Sequence, residues 1–201
     1  MKSDAIAFGI AGVLFGLIAG WVIGSQQSPA RPAPAAPQQA SNAPASPAPR
    51  APVLDETQVT ALKSVAEREP KNAKPRADLA NLYFDAERYD DAITWYEQAV
   101  KLSPKDENLS TDLGVCYYYT NQPDKALARF DASLKINPKH TKTLLNLGIV
   151  LAFGKQDLAG ATKAWEQVIA IDPNGPEGQA AKRALDTLKS AHAAVGGPKA
   201  P

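Results

Sequence analysis

Few side chains in this chain could carry chemistry. His140 and His192 are its only histidines, and Cys116 is its only cysteine. A general base needs an acid or nucleophile within hydrogen-bond reach, and a reactive thiol needs a cationic neighbour that lowers its pKa. His140 follows Pro138 at the expected start of a helix and His192 stands near the end of another, so both read as surface residues. Cys116 precedes an expected packing residue, Tyr117, with no lysine or arginine beside it, and reads as a structural thiol. A lone cysteine excludes an internal disulfide and any cysteine-rich metal site. Glycine-rich phosphate loops, zinc-ligand spacings and paired serine and histidine residues are also missing. Asp90 and Asp91 fall at a helix start, where carboxylates meet the positive end of the dipole. The expectation is a protein with no catalytic residues, no cofactor and no metal.

What remains is recognition by a surface, and a repeat spells out the elements that would build one. Prolines that end helices recur at Pro70, Pro104, Pro138 and Pro173, at intervals of 34, 34 and 35 residues. A fixed period of this size marks a solenoid of stacked helical units. Within the units, Leu79, Ala80, Tyr83, Ala92, Tyr96, Ala99 and Pro104 align with Leu113, Gly114, Tyr117, Ala126, Phe130, Ser133 and Pro138. The third unit supplies Leu147, Gly148, Leu151, Ala161, Trp165, Val168 and Pro173, with one extra residue expected in the turn around 154–160. Small residues at matching places on both helices of a pair allow close approach, and the aromatic residue beside them fills the space. Proline removes an amide donor and stops the second helix.

This residue set resembles the tetratricopeptide-repeat (TPR) family over 70–173. Arg76, Ser110 and Leu144 stand where that family often has tryptophan. The resemblance implies an all-α TPR solenoid of antiparallel helix pairs, with repeats at 73–106, 107–140 and 141–175. A half-repeat at 54–70, packing through Leu62 and Val65, is expected to cover one end. A capping helix at 176–192, with Ala181, Leu185 and Leu188 on its apolar stripe, would cover the other, making a folded domain of 53–193 with a loose tail at 194–201.

In such repeats the first helices line a concave groove, and the resemblance carries ligand-facing offsets onto this chain. The first unit offers Lys74, Ala77, Asn81, Phe84 and Asp85; the second Asn108, Thr111, Val115, Tyr118 and Tyr119; the third Lys142, Leu145, Ile149, Ala152 and Phe153. Tyr118 and Phe153 are expected to point into the groove, and Tyr117 into the core. Chaperone-binding members of the family hold a C-terminal carboxylate with basic and amide side chains. The matching positions here are Ala77, Asn81, Asp112, Lys142 and Asn146, of which Ala77 lacks a charge and Asp112 repels a carboxylate, so that clamp is not expected to operate.

The chain ahead of the repeats is of two kinds. Residues 5–24 are twenty uncharged residues, enough for a helix of about 30 Å that would cross a bilayer. Trp21 near its end suits an interfacial anchor. The amino terminus and Lys2 precede the span, so residues 1–4 are expected in the cytoplasm and the solenoid on the extracytoplasmic or periplasmic side. Gly12, Gly16, Gly20 and Gly24 recur every fourth residue and would offer a smooth face for association with a second membrane helix; glycine is also simply common in membrane helices. Residues 25–52 hold eight prolines and nine alanines among 28, which suits an extended spacer and cannot bury a core.

Net charge is +1, so no global field draws the protein to nucleic acid. It is uneven, with 15 acidic against 10 basic residues in 53–131 and 5 against 9 in 132–201. The function expected is a membrane-anchored scaffold gripping a protein or peptide in its groove. The alternative is a periplasmic chaperone, similar to the TPR region of c-type cytochrome biogenesis proteins, that holds apocytochrome during maturation; that family usually has a second membrane span.

Overall fold

A computed structural model describes residues 53–195, with side chains through residue 191. The expected span, its glycine stripe, the spacer and the side chain of His192 lie outside these. Among the described residues no helix is long and apolar enough to cross a membrane.

Among the described residues eight α-helices follow one another: α1 (Glu56–Arg68), α2 (Lys74–Asp85), α3 (Tyr89–Leu102), α4 (Glu107–Tyr119), α5 (Pro123–Ile136), α6 (Thr141–Ile149), α7 (Leu158–Ile171) and α8 (Pro176–Val195). Asp55 and Asp106 start α1 and α4 by accepting two backbone N–H groups each, and Asp157 starts α7 by accepting from Gly160. These bonds satisfy donors that the first helical turn leaves unpaired. Pro123 and Pro176 open α5 and α8, where a missing N–H costs nothing.

Helices α2/α3, α4/α5 and α6/α7 form the three pairs, with α1 against α2 and α8 against α7 and α6. Every small and aromatic position of the first two units is buried, as the period requires. Gly114 and Gly148 show why the position must be small. A Cβ on Gly114 would lie 2.6 Å from the Phe130 ring, and one on Gly148 only 2.2 Å from the indole nitrogen of Trp165. The indole N–H is fixed by donating to the Leu145 carbonyl at 3.1 Å, so the ring cannot simply swing aside.

Two expectations are corrected. The half-repeat buries Val59 and Ala66 as its main packing residues, with Leu62 packed against the same core as expected and Val65 half-buried. The extra residue of the third unit is taken up inside its first helix, by a π-helical turn at Val150–Gly154, rather than in the turn around 154–160. The hydrogen bonds locate it. Arg88 N–H donates to Tyr83 and Gln122 N–H to Tyr117, whereas Asp157 N–H donates one residue further back, to Leu151. The left-handed turn residues Glu87, Asn121 and Gln156, all near φ +58°, keep a constant distance to the small residues Ala92, Ala126 and Ala161. Widening one turn of helix accommodates an insertion without disturbing the conserved geometry of the turn itself.

The seam between the second and third units is polar. Thr111, Ser133 and Thr143 are fully buried, and their hydroxyls form a triangle with edges of 3.0, 2.7 and 2.6 Å. Thr111 also donates to the Glu107 carbonyl at 2.7 Å, and His140 Nδ1 lies 2.5 Å from the Thr143 hydroxyl. His140 is therefore half-buried and bonded, not the surface residue expected. One repeat earlier the same three places are Ala77, Ala99 and Leu109, all apolar.

Candidate peptide-binding groove

Helical periodicity divides the first helices into a packed side and an accessible side. On α2 the accessible stripe is Lys74, Asp78, Asn81 and Asp85, at steps of four, three and four residues that keep one face. The same register on α4 is Asn108, Asp112, Val115 and Tyr119, and on the third unit Lys142, Asn146, Ile149 and Phe153. On this register Lys74, Asn81, Asn108 and Tyr119 are exposed, Lys142 is half-buried, and Val115, Ile149 and Phe153 are half-buried with part of each side chain packed against the cores. Asp78 belongs with them but was missed; its spacing, four after Lys74 and three before Asn81, was the available signal.

The other offsets turn toward the protein. Thr111 and Ala152 are buried, correcting their place in the groove: Thr111 serves the hydroxyl triangle, and Ala152 falls in the π-helical turn. Phe84 and Tyr118 are partly buried and pack against the core of the first two units. Tyr117 points into the core, as expected, with its hydroxyl donating to Glu97.

Contacts between neighbouring first helices set the chemistry of the stripe. Lys142 Nζ pairs with Asp112 at 2.6 Å, tying α6 to α4, and Lys74 pairs with Asp78 at 2.8 Å within α2. Both lysines of the stripe therefore already have a carboxylate. Asn81 accepts from the Tyr96 hydroxyl, and Asn146 donates to the Lys142 carbonyl at 2.8 Å. The amide of Asn81 keeps its donors and the carbonyl of Asn146 can accept again, which suits pairing with a peptide main chain.

At the turn-bearing edge the stripe meets an aromatic cluster. Tyr119 stacks on Tyr89 with centroids 4.5 Å apart and planes 8° from parallel, and Phe84 meets both edge-on at 5.8 and 5.4 Å. Burial pushes the Tyr119 hydroxyl pKa up, with Glu87 adding to it, and takes that of Tyr89 to about 12. Burial likewise pushes the Cys116 thiol up to about 12, so it is held as the unreactive thiol. Among the described residues there is no group of three or more metal-ligating side chains.

The architecture is that of a helical-hairpin solenoid, and comparison finds its likenesses. A profile described as "TPR repeat" matches residues 80–120 and one described as "Tetratricopeptide repeat" matches 111–176, which together with the structural likenesses support the TPR family. The TPR domain of Sgt2 from Aspergillus fumigatus is 26% identical with a TM-score of 0.56, over 64% of this chain and 85% of that one. The first TPR domain of human RPAP3 is 26% identical with a TM-score of 0.55, over 61% and 93%. The first TPR of Spaghetti (RPAP3) bound to the HSP90 peptide SRMEEVD shares the fold at 24% identity and a TM-score of 0.51, over 70% and 97%. No curated protein matches the sequence at a significant level.

Proposed function

We propose that this protein is a membrane-anchored scaffold that holds an extended stretch of a partner polypeptide in the groove lined by α2, α4 and the third unit's first helix. The observation that carries the reading is the accessible stripe, with its three asparagines, Asn81, Asn108 and Asn146, interleaved with Val115, Ile149 and Phe153. Amides pair with any peptide main chain, and the apolar side chains add contact area. The two stripe lysines are neutralised by Asp112 and Asp78, so the partner is recognised along its length and not by a C-terminal carboxylate. In this reading residues 5–24 hold the scaffold in the membrane, with the solenoid on the extracytoplasmic side.

A photocrosslinking residue at Asp85, which is exposed beside the groove, tests this in native membranes. The expected result is a reproducible set of adducts that is lost in Asn108→Ala/Asn146→Ala while the melting temperature stays within a few degrees. Adducts unchanged by the double substitution would rule the groove out. A set dominated by apocytochromes would select the maturation chaperone, and a single folded protein the scaffold.

A further inference from the structure

Beside the groove, an open cleft of about 540 Å³ lies between the turn after α2, the first turn of α3 and the end of α4. It is lined by Glu87, Arg88, Tyr89, Asp90 and Asp91 on one side and by Tyr119, Thr120 and Gln122 on the other. One wall is the stacked pair of Tyr89 and Tyr119, the latter 39% exposed. The one cation of the lining is already engaged. Arg88 pairs with Asp91 at 2.7 Å and lies over the Tyr83 ring at 5.0 Å. Glu87 and Asp90 form no ion pair among the described residues. The start of α3 would by itself attract an anion, but Asp90 and Asp91 in its first turn already answer that field.

We propose that this cleft seats a basic side chain, an arginine above all, of the polypeptide lying in the groove. The inference rests on the groove reading and deepens it by giving the partner's chemistry. Tyrosine rings present electron-rich faces, Glu87 and Asp90 lack an ion-pair partner among the described residues, and a guanidinium is the planar cation that satisfies both at once. Burial is the main cause of the raised hydroxyl pKa values of Tyr89 and Tyr119, and the Glu87 carboxylate beside them adds a smaller upward push to both. The cleft also continues from the groove, since Tyr119 belongs to both.

The test uses the full chain in detergent and two fluorescent peptides of one sequence, one with arginines and one with citrulline in their place. Wild type should bind the arginine peptide about tenfold more tightly at physiological salt. Glu87→Gln/Asp90→Asn and, separately, Tyr119→Ala should abolish that preference. Glu67→Gln/Glu166→Gln, which removes the same charge from exposed sites elsewhere, should leave it intact. No preference in wild type, or equal losses from both charge-removing pairs, would overturn the cleft assignment. If that happens while Asn108→Ala/Asn146→Ala still sheds the crosslinked partner, the groove reading stands and only the cleft falls.

Discussion

Replacing Thr143 by valine probes the polar seam with almost no change of shape. The Thr143 hydroxyl meets Thr111 at 2.6 Å, Ser133 at 2.7 Å and His140 Nδ1 at 2.5 Å. In the valine variant Thr111 keeps the Glu107 carbonyl and Ser133, and Ser133 keeps Thr111. His140 Nδ1 is left with Thr111 at 3.5 Å, beyond a good hydrogen bond. Stranding one polar group costs about 1–3 kcal/mol, so with His140 half-buried the loss should be about 2 kcal/mol, or about 6 °C in melting temperature for a domain of this size. Urea and thermal denaturation of the full chain in detergent, followed by circular dichroism, would measure it. Thr60→Val is the control, because its exposed hydroxyl bonds only the Glu56 carbonyl of its own helix; it should change stability by less than about 0.5 kcal/mol. Thr111→Ala/Ser133→Ala/Thr143→Leu combined with His140→Asp, which installs all four residues of the preceding seam including its capping Asp106, should recover most of the loss, since removing all partners together strands none. A Thr143→Val protein as stable as the Thr60→Val control would refute the claim that the triangle is a satisfied network holding the second and third units together.

Gly148→Ala gains helix propensity yet drives a methyl into the Trp165 indole, and overpacking of this kind costs about 1–3 kcal/mol, so a net destabilisation of about 1 kcal/mol or more is expected in the same denaturation assay. Cys116 should resist thiol reagents in the folded protein and react only as fast as it opens. Its folded pKa of about 12 exceeds the ordinary 9.0, so the contribution of the buried thiol is complete below pH 9 and declines as pH rises toward 12, which labelling and stability measured across that window would show. Asp112→Asn should free Lys142, and the variant should then prefer a peptide ending in a free carboxylate over its amidated form by about tenfold, where wild type shows no preference by fluorescence anisotropy. A variant equally indifferent to the two peptides would mean that Asp112 is not what silences Lys142.

The sequence by itself determined the repeat and the outline of its surface. Close packing of two helices demands a small residue opposite another and a large one beside them at fixed steps, so Ala80, Gly114 and Gly148 against Ala92, Ala126 and Ala161 announce the hairpins wherever they occur. Helical periodicity likewise puts Lys74, Asn81 and their counterparts on one register of the first helices. The tertiary structure decided whatever depends on residues far apart in the chain. The pairing of Lys142 with Asp112, the meeting of Tyr89 with Tyr119, and the hydroxyl triangle of Thr111, Ser133 and Thr143 each join different helices. A local pattern reports which side of a helix a residue occupies but not what the neighbouring unit brings against it. For the same reason the one-residue insertion was visible as a count, while its place in a π-helical turn was fixed by the left-handed turn that the rest of the repeat holds in position.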